Sequence, residues 1–334
     1  MKIKVISKHS ASGGRTFEYE PGFSFVYDAD CADYDWLVVC DELPEADVGT
    51  MRGGCETLRC PRERTILATY EPVSIKCYSR AYALQFGRLL TNRPPSAERH
   101  PGYRLGRGYY PWFNDRTYEE NKSVVIPPKT KTVSAVCSSK AMKWTRHYDR
   151  LRLMRVLSAE IEGMEWFGHG IRSFGKKYEV MDPYKYHVAI ENHIAPHCWT
   201  EKIADAFLCE CLPFYAGAPD LGEDFPPESF IPIPIDDPAE AVRIVKGAIA
   251  AGEYERRREA VLEAKRLILS KYNFWAQVVE TIRESAGMPT GAPGGRIYSR
   301  KRIRRRNIGA AVEAGWFHLR QYLAFAGGKG LTSP

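Results

Sequence analysis

Between Tyr184 and Ile233 the chain sets polar residues where α/β proteins bind anions. Tyr186–Ile190 reads as a strand, with Glu191-Asn192 at its carboxyl end, and Thr200-Glu201-Lys202 then opens a helix. Ligands of open α/β sheets bind beyond the carboxyl ends of strands, and a helix N-terminus favours phosphate. Lys202, in the first helical turn, adds a positive charge there, while Glu201 complements the helix dipole. This order of residue types points to a phosphate-bearing ligand.

The elements that position these residues come in two series. In the first, Met1–Ser7, Trp36–Cys40 (WLVVC), Thr65–Thr69 (TILAT) and Gly87–Thr91 read as strands, and Tyr78–Gln85 as a helix. Residues 93–115 are rich in Pro, Gly, Arg and aromatics, have no period, and read as a long functional loop. The second series has strands at Val133–Ser138, Met164–Gly168 and Tyr186–Ile190. Its helices are His147–Ala159, with Leu151, Met154 and Leu157 on one face, then Asp237–Ala251, Glu253–Lys271 and Phe274–Ala286. Residues 287–295 (GMPTGAPGG) read as a flexible linker. Two such series predict an α/β protein with two Rossmann-like domains facing across a cleft. The expected divisions are 1–125, 126–286, and a linker and tail over 287–334.

Composition narrows the function classes. The 334 residues are 44% hydrophobic and 27% charged, as in an ordinary soluble chain. GxGxxG, GxxxxGK[ST] and GxSxG are all absent, which removes the main support for a dinucleotide oxidoreductase, a P-loop NTPase and an α/β-hydrolase. The nine cysteines are odd in number, and several lie in apolar runs, so reduced thiols are expected rather than a disulfide framework. No apolar run is long enough to span a membrane, and MKIKVISKHS reads as a strand rather than a signal peptide. The expected location is cytoplasmic.

The ordered set Tyr184-Lys185-Tyr186, Ile190-Glu191-Asn192, Thr200-Glu201-Lys202, Leu212-Pro213-Phe214-Tyr215-Ala216-Gly217 and Pro227-x-Ser229-Phe230 closely resembles glycosyltransferase family 10, the α-1,3/1,4-fucosyltransferases. Tyr34–Pro44 and Thr69-Tyr70-Glu71-Pro72 resemble the acceptor-side half of that family. The resemblance implies a GT-B architecture, with residues 1–125 binding acceptor and 126–286 binding the nucleotide sugar. It also implies transfer of L-fucose from GDP-β-L-fucose, with inversion, to a glycan hydroxyl, for example GlcNAc of a lipopolysaccharide or other surface glycan. Another GDP-sugar as donor, or a non-catalytic binding protein of the same fold, is the alternative.

Carried onto this sequence, the resemblance assigns Lys202 and Arg150 to the donor diphosphate, Glu201 to donor hydroxyls and Asn192 to a donor phosphate. Glu191 either orients the loop or touches the sugar. Arg146, Arg152 and Arg155 neighbour Arg150 and leave its register open. Glu71 is the implied general base, with Glu98, Asp41 and Glu42 as rivals. Two cations at the diphosphate supply the charge that a metal supplies elsewhere. No essential cofactor or metal ligand is therefore expected, and a divalent cation is at most stimulatory. His187, His193 and His197 have no carboxylate at ligand spacing. The sequence departs from the family at Ile190, His193, Cys198 and Ala216, where an aromatic, Ser/Thr, Tyr and Trp are usual. These changes bear on the shape of the donor pocket.

The net charge of +7 is uneven. Residues 291–334 hold nine Lys/Arg and one Glu, a net of +8, so the remainder is near neutral at −1. The segment 296–325 joins a basic cluster to an apolar helical stretch. It is expected to contact an anionic membrane peripherally, on its inner face, or to pack back with a charged outer side. Nucleic acid is not an expected partner, since no binding module is recognisable.

Overall fold

A computed structural model describes residues 1–139 and 146–326. The chain forms two α/β units. One is Met1–Gly106 with Gln277–Leu323, and the other is built on Arg107–Ala276.

The first unit contains β1 (Lys2–Ser7), β2 (Thr16–Glu20), β3 (Phe23–Val26), β4 (Trp36–Cys40), β5 (Cys55–Thr57), β6 (Thr65–Ala68), α1 (Arg80–Ala83), β7 (Arg88–Thr91) and β8 (Tyr103–Leu105). Seven of these strands make one sheet, ordered β2-β3-β1-β4-β6-β7-β8. Its pairs are parallel except the β2–β3 hairpin. The apolar runs of β4 and β6 are buried along their whole length, as central strands of a parallel sheet require. Tyr82 and Phe86 pack with Leu37, Val39 and Leu67 in this core.

The second unit contains α2 (Tyr118–Ser123), β9 (Lys131–Val136), α3 (His147–Glu160), β10 (Glu165–Phe167), β11 (Tyr184–Ile190), α4 (Glu201–Leu208), β12 (Leu212–Ala216), β13 (Ile231–Pro232), α5 (Pro238–Ala250) and α6 (Glu253–Ser270). Its five-stranded sheet, β10-β9-β11-β12-β13, is parallel throughout. Leu153, Met154 and Leu157 of α3, and Ile203, Phe207 and Leu208 of α4, are buried in one core with Val188, Ile190 and Phe214. Two α/β units with largely parallel sheets are the expected fold class.

After α7 (Phe274–Glu284) the chain belongs to the first unit, as β14 (Arg296–Tyr298), α8 (Arg300–Arg306) and α9 (Ile308–Ala326). This differs from the expected divisions. The boundary falls at Gly106, not 125; residues 277–286 join the first unit rather than the second, and 287–323 are part of it rather than a tail. The stretch 287–295 is held in place: Leu58 donates to the Gly295 carbonyl (3.0 Å), and Gly291 donates to Glu63 (3.2 Å). β14 then pairs antiparallel with β5. The loop expected over 93–115 is broken by β8, which adds to β7. Three residues are too short for alternation to reveal a strand. The β2–β3 hairpin lies outside the expected strands and turns at Gly22, which takes φ +90°.

One buried ion pair ties the first sheet to its covering loops. Lys4 of β1 is fully enclosed, and its ammonium donates to Glu56 (3.0 Å), Thr50 Oγ1 (2.6 Å) and the Ala29 carbonyl (3.2 Å). Removing one partner leaves an uncompensated buried charge. Glu56→Ala is expected to cost about 3–5 kcal/mol in urea unfolding of the full chain. The double replacement Lys4→Met, Glu56→Leu is expected to recover most of that loss.

Candidate functional site

The predicted strand-to-helix turn forms as the sequence indicates. Thr200 is the N-cap of α4, in extended backbone, and its side chain accepts from the Lys202 amide. Glu191 follows β11, and its amide donates to the Ala216 carbonyl at the end of β12 (2.8 Å). The Glu191 carboxylate is buried and does not face solvent. It accepts from the Thr200 amide (2.8 Å) and hydroxyl (2.7 Å) and pairs with the Lys202 ammonium (3.3 Å). Glu191 therefore orients the start of α4, the first of its two expected roles.

Lys202 also donates to Glu201 (3.0 Å) and Thr200 Oγ1 (3.0 Å). Burial opposes its charge, but Glu191 and Glu201 outweigh that effect and hold the ammonium above the ordinary lysine range. Burial also acts on both carboxyls. It holds Glu191 above its usual range despite Lys202, whereas Lys202 and Lys177 bring Glu201 below its own. The trio is thus poised with Lys202 charged and Glu201 ionised at neutral pH.

α3 presents one arginine to this region. Arg150 is buried, and its guanidinium donates to Asn192 Oδ1. Its Nε has no hydrogen-bond partner among the described residues. The Arg146 guanidinium pairs with Asp149 (3.2 Å) and Asp236 while its Nε, like that of Arg150, has no partner among the described residues, its amide donates to the Asn192 carbonyl (3.3 Å), and Arg152 donates to the Asp236 carbonyl (3.0 Å). Of the arginines on and beside this helix, Arg150 is the buried one, and Arg152 and Arg155 are exposed.

Arg150, Lys177 and Lys202 line one cavity of about 10 Å³, with Cys137 and His187 in its wall. That is space for a single water. Lys177 carries no recognisable signal, since it lies in a single short 3-10 turn, 177–180, before β11. Burial opposes its charge, but its partner Asp205 (2.6 Å) holds it above its ordinary range. Asp205 stands one turn after Glu201 on α4, and that i, i+4 spacing was the available hint of a second acidic group.

The departures from the family pattern have structural effects. Ile190 and Cys198 are buried, and His193 is partly exposed. Ala216 lines a second cavity, of about 190 Å³, with Tyr215, Gly217, Phe230, Ile194 and Ile233. A side chain at Gly217 would strike the Tyr215 hydroxyl at 2.1 Å and Glu191 Cγ at 2.7 Å, so this cavity adjoins the Glu191 cluster. One histidine expectation is corrected, because Asp220 does converge on His197, with Glu223 nearby. Asp220 accepts from the His197 amide (2.9 and 3.0 Å), bracing a residue at φ +59°, and Glu223 pairs with Arg107 (2.9 Å).

Glu71 lies in the first unit, after β6. Its backbone is clamped by Arg93, which donates to the Glu71 carbonyl (2.7 and 3.0 Å), while its carboxylate has no hydrogen bond among the described residues. Burial, then the charge of Asp41, raise its pKa against Lys76, Lys8 and Arg93. The rival carboxylates each have a partner, although Glu98 Oε2 has none among the described residues. Glu98 is buried against Arg93 (2.6 Å), Asp41 accepts from the Tyr70 amide (2.7 Å) and the Tyr78 hydroxyl, and Glu42 pairs with Lys76 (3.0 Å) and Arg300 (3.2 Å).

No family model matches the chain. Over 84 residues it is 30% identical to the alpha-(1,3)-fucosyltransferase FucT of Helicobacter pylori, a match covering 25% of this chain and 17% of that protein's length. This match supports the resemblance that the ordered motifs carry. A crystal structure of an alpha1,3-fucosyltransferase with GDP-fucose is similar at 15% identity and a TM-score of 0.46, over 82% of this chain and 91% of that one. A glycosyltransferase from Rickettsia africae ESF-5 is similar at 8% identity and a TM-score of 0.46, over 75% and 76%.

Beneath the site, His187 is fully enclosed and shares a hydrogen bond with Ser134 (2.8 Å). Burial, reinforced by Lys177 and Lys129, lowers its pKa to about 3. The unfolded chain takes up this proton near pH 6.5 and the folded chain does not, so stability falls as pH drops from about 6.5 towards 3. The expected contribution is about 1.4 kcal/mol per pH unit. In acid-to-neutral unfolding series, His187→Asn is expected to flatten that slope.

Proposed function

We propose that the protein is an inverting fucosyltransferase that moves L-fucose from GDP-β-L-fucose to a glycan hydroxyl, with α-1,3 or α-1,4 linkage. The observation that carries this reading is the junction of Arg150, Asn192, Glu201 and Lys202 at the carboxyl end of β11. A buried arginine, a partly buried lysine and a helix N-terminus are suited to a diphosphate leaving group. In this reading Arg150 and Lys202 neutralise the charge that develops on GDP, Asn192 bonds a phosphate oxygen, and Glu201 accepts from fucose hydroxyls. Glu191 holds Thr200 and Lys202 in place.

The reaction is one displacement. Glu71 takes the proton of the acceptor hydroxyl, the acceptor oxygen bonds to the anomeric carbon, and the bond to the GDP oxygen breaks with its electron pair on GDP. A raised pKa and a carboxylate free of hydrogen bonds suit Glu71 to that role. The cations provide the electrostatic stabilisation, and no metal is assigned a part. The acceptor is proposed to be a surface glycan such as one bearing GlcNAc, and the α-1,3-fucosyltransferase similarity supports the linkage class.

Mixing the full chain with GDP-fucose and N-acetyllactosamine is expected to release GDP, and GDP-mannose is expected to react far less. Glu71→Gln is expected to lower kcat by about 10²- to 10⁴-fold while GDP-fucose binding persists. Transfer by that variant at the wild-type rate would remove Glu71 as base. Equal or faster turnover of GDP-mannose would replace fucose as the donor sugar.

A further inference from the structure

The cavity beside Arg150, Lys177 and Lys202 lies where the second sheet changes direction. β10 and β11 flank β9 on opposite sides, so the chain order reverses at the β9–β11 pair. Open α/β sheets bind ligands beyond the carboxyl ends of the strands at such a switch point. Val136, at the end of β9, and Ile190, at the end of β11, wall the cavity together with the three cations. Its volume of about 10 Å³ has room for one oxygen. Lys177 is the cation that the transfer mechanism leaves unused.

The two lysines differ in the donors they have left. An ammonium carries three N–H groups. Those of Lys202 are matched by three oxygens, on Thr200 (3.0 Å), Glu201 (3.0 Å) and Glu191 (3.3 Å). The Lys177 ammonium meets only Asp205 (2.6 Å) among the described residues, although its side chain is just 13% exposed. Arg150 is 6% exposed, and its Nε has no partner among the described residues. Shielded donors without acceptors are costly. Both residues that carry them line this one cavity, and among the described residues no carboxylate lines it. Two cationic groups favour an anionic oxygen over a neutral one.

Lys177 is also held in place. Its amide donates to Asp115 (2.7 Å) at the start of the 3-10 turn. Its partner Asp205 is fully buried on α4, and the second Asp205 oxygen accepts from the Phe113 amide (3.0 Å). Asp205 therefore takes one N–H of the ammonium and leaves two. An anionic oxygen entering the cavity meets donors that are already positioned.

We propose that Lys177 is a third cation of the donor site, which together with Arg150 binds a non-bridging oxygen of the donor diphosphate, and that Asp205 is the positioning residue that holds it there. The proposal rests on the diphosphate reading of this site and gives Lys177 a part in it.

The test compares GDP, measured by titration calorimetry, with the weaker ligand guanosine, measured by NMR titration, both against the full chain. Lys177→Gln keeps a hydrogen bond to Asp205 without the charge. Lys177→Met with Asp205→Leu removes the pair and leaves no buried carboxylate alone. Each variant is expected to weaken GDP binding at least about tenfold, as the loss of a charged hydrogen bond does. Guanosine affinity and cooperative thermal unfolding are expected to be retained. Guanosine weakened as much as GDP would make Lys177 a structural residue and overturn the proposal. GDP affinity equal to that of the wild type in a folded variant would overturn it too, while leaving the diphosphate reading intact. A wild-type chain that binds no GDP would overturn both.

Discussion

The second unit is organised around a carboxylate that has no access to water. Burying Glu191 is costly unless its carboxylate finds donors, and it finds three, in the Thr200 amide, the Thr200 hydroxyl and the Lys202 ammonium. These bonds fasten the end of β11 to the first turn of α4. They fix where Glu201 and Lys202 project, and they set the N-cap geometry of Thr200. The backbone amide of Glu191 is meanwhile held by β12, and a side chain at Gly217 is excluded by the Tyr215 ring first and then by Glu191. Strand end, helix start and neighbouring strand are therefore positioned by one residue.

Around that point the charges are almost fully matched, and the exceptions are informative. Lys177 is neutralised by Asp205, and Lys202 is shared between two glutamates. Arg150 bonds a neutral amide and keeps an unpartnered buried Nε, an arrangement suited to receiving an anion. In the first unit the same contrast separates Glu71 from its rivals. Asp41, Glu42 and Glu98 are each held by cations or hydroxyls, while the Glu71 carboxylate is left to desolvation.

Much of this was legible in the sequence where local pattern dominates. WLVVC and TILAT are buried strands, α3 buries Leu151, Met154 and Leu157 as its period required, and Thr200 caps α4. What escaped notice depends on long-range contact. The three-residue β8 exists only because β7 offers an open edge, and the run GMPTGAPGG is ordered only because β5 awaits β14. That the Arg150 side chain bonds Asn192 while those of Arg146 and Arg152 reach Asp236 depends on where Asp236 and Asn192 lie, which no spacing along α3 encodes. The basic tail was expected either to meet a membrane or to pack back behind a charged face. It packs back through Ala310 and Ala314, with the apolar face outermost.

The central claim is that Arg150 and Lys202 are poised for a nucleoside diphosphate. Titration calorimetry of GDP against the full chain tests it most directly, with three single variants measured beside the wild type. Arg150→Ala and Lys202→Ala are each predicted to weaken GDP binding by at least about tenfold, the worth of one charged hydrogen bond. Arg152→Ala, whose guanidinium is engaged at the Asp236 carbonyl, is predicted to bind as the wild type does. Absence of GDP binding by the wild type, or equal affinity across all three variants, would contradict the account.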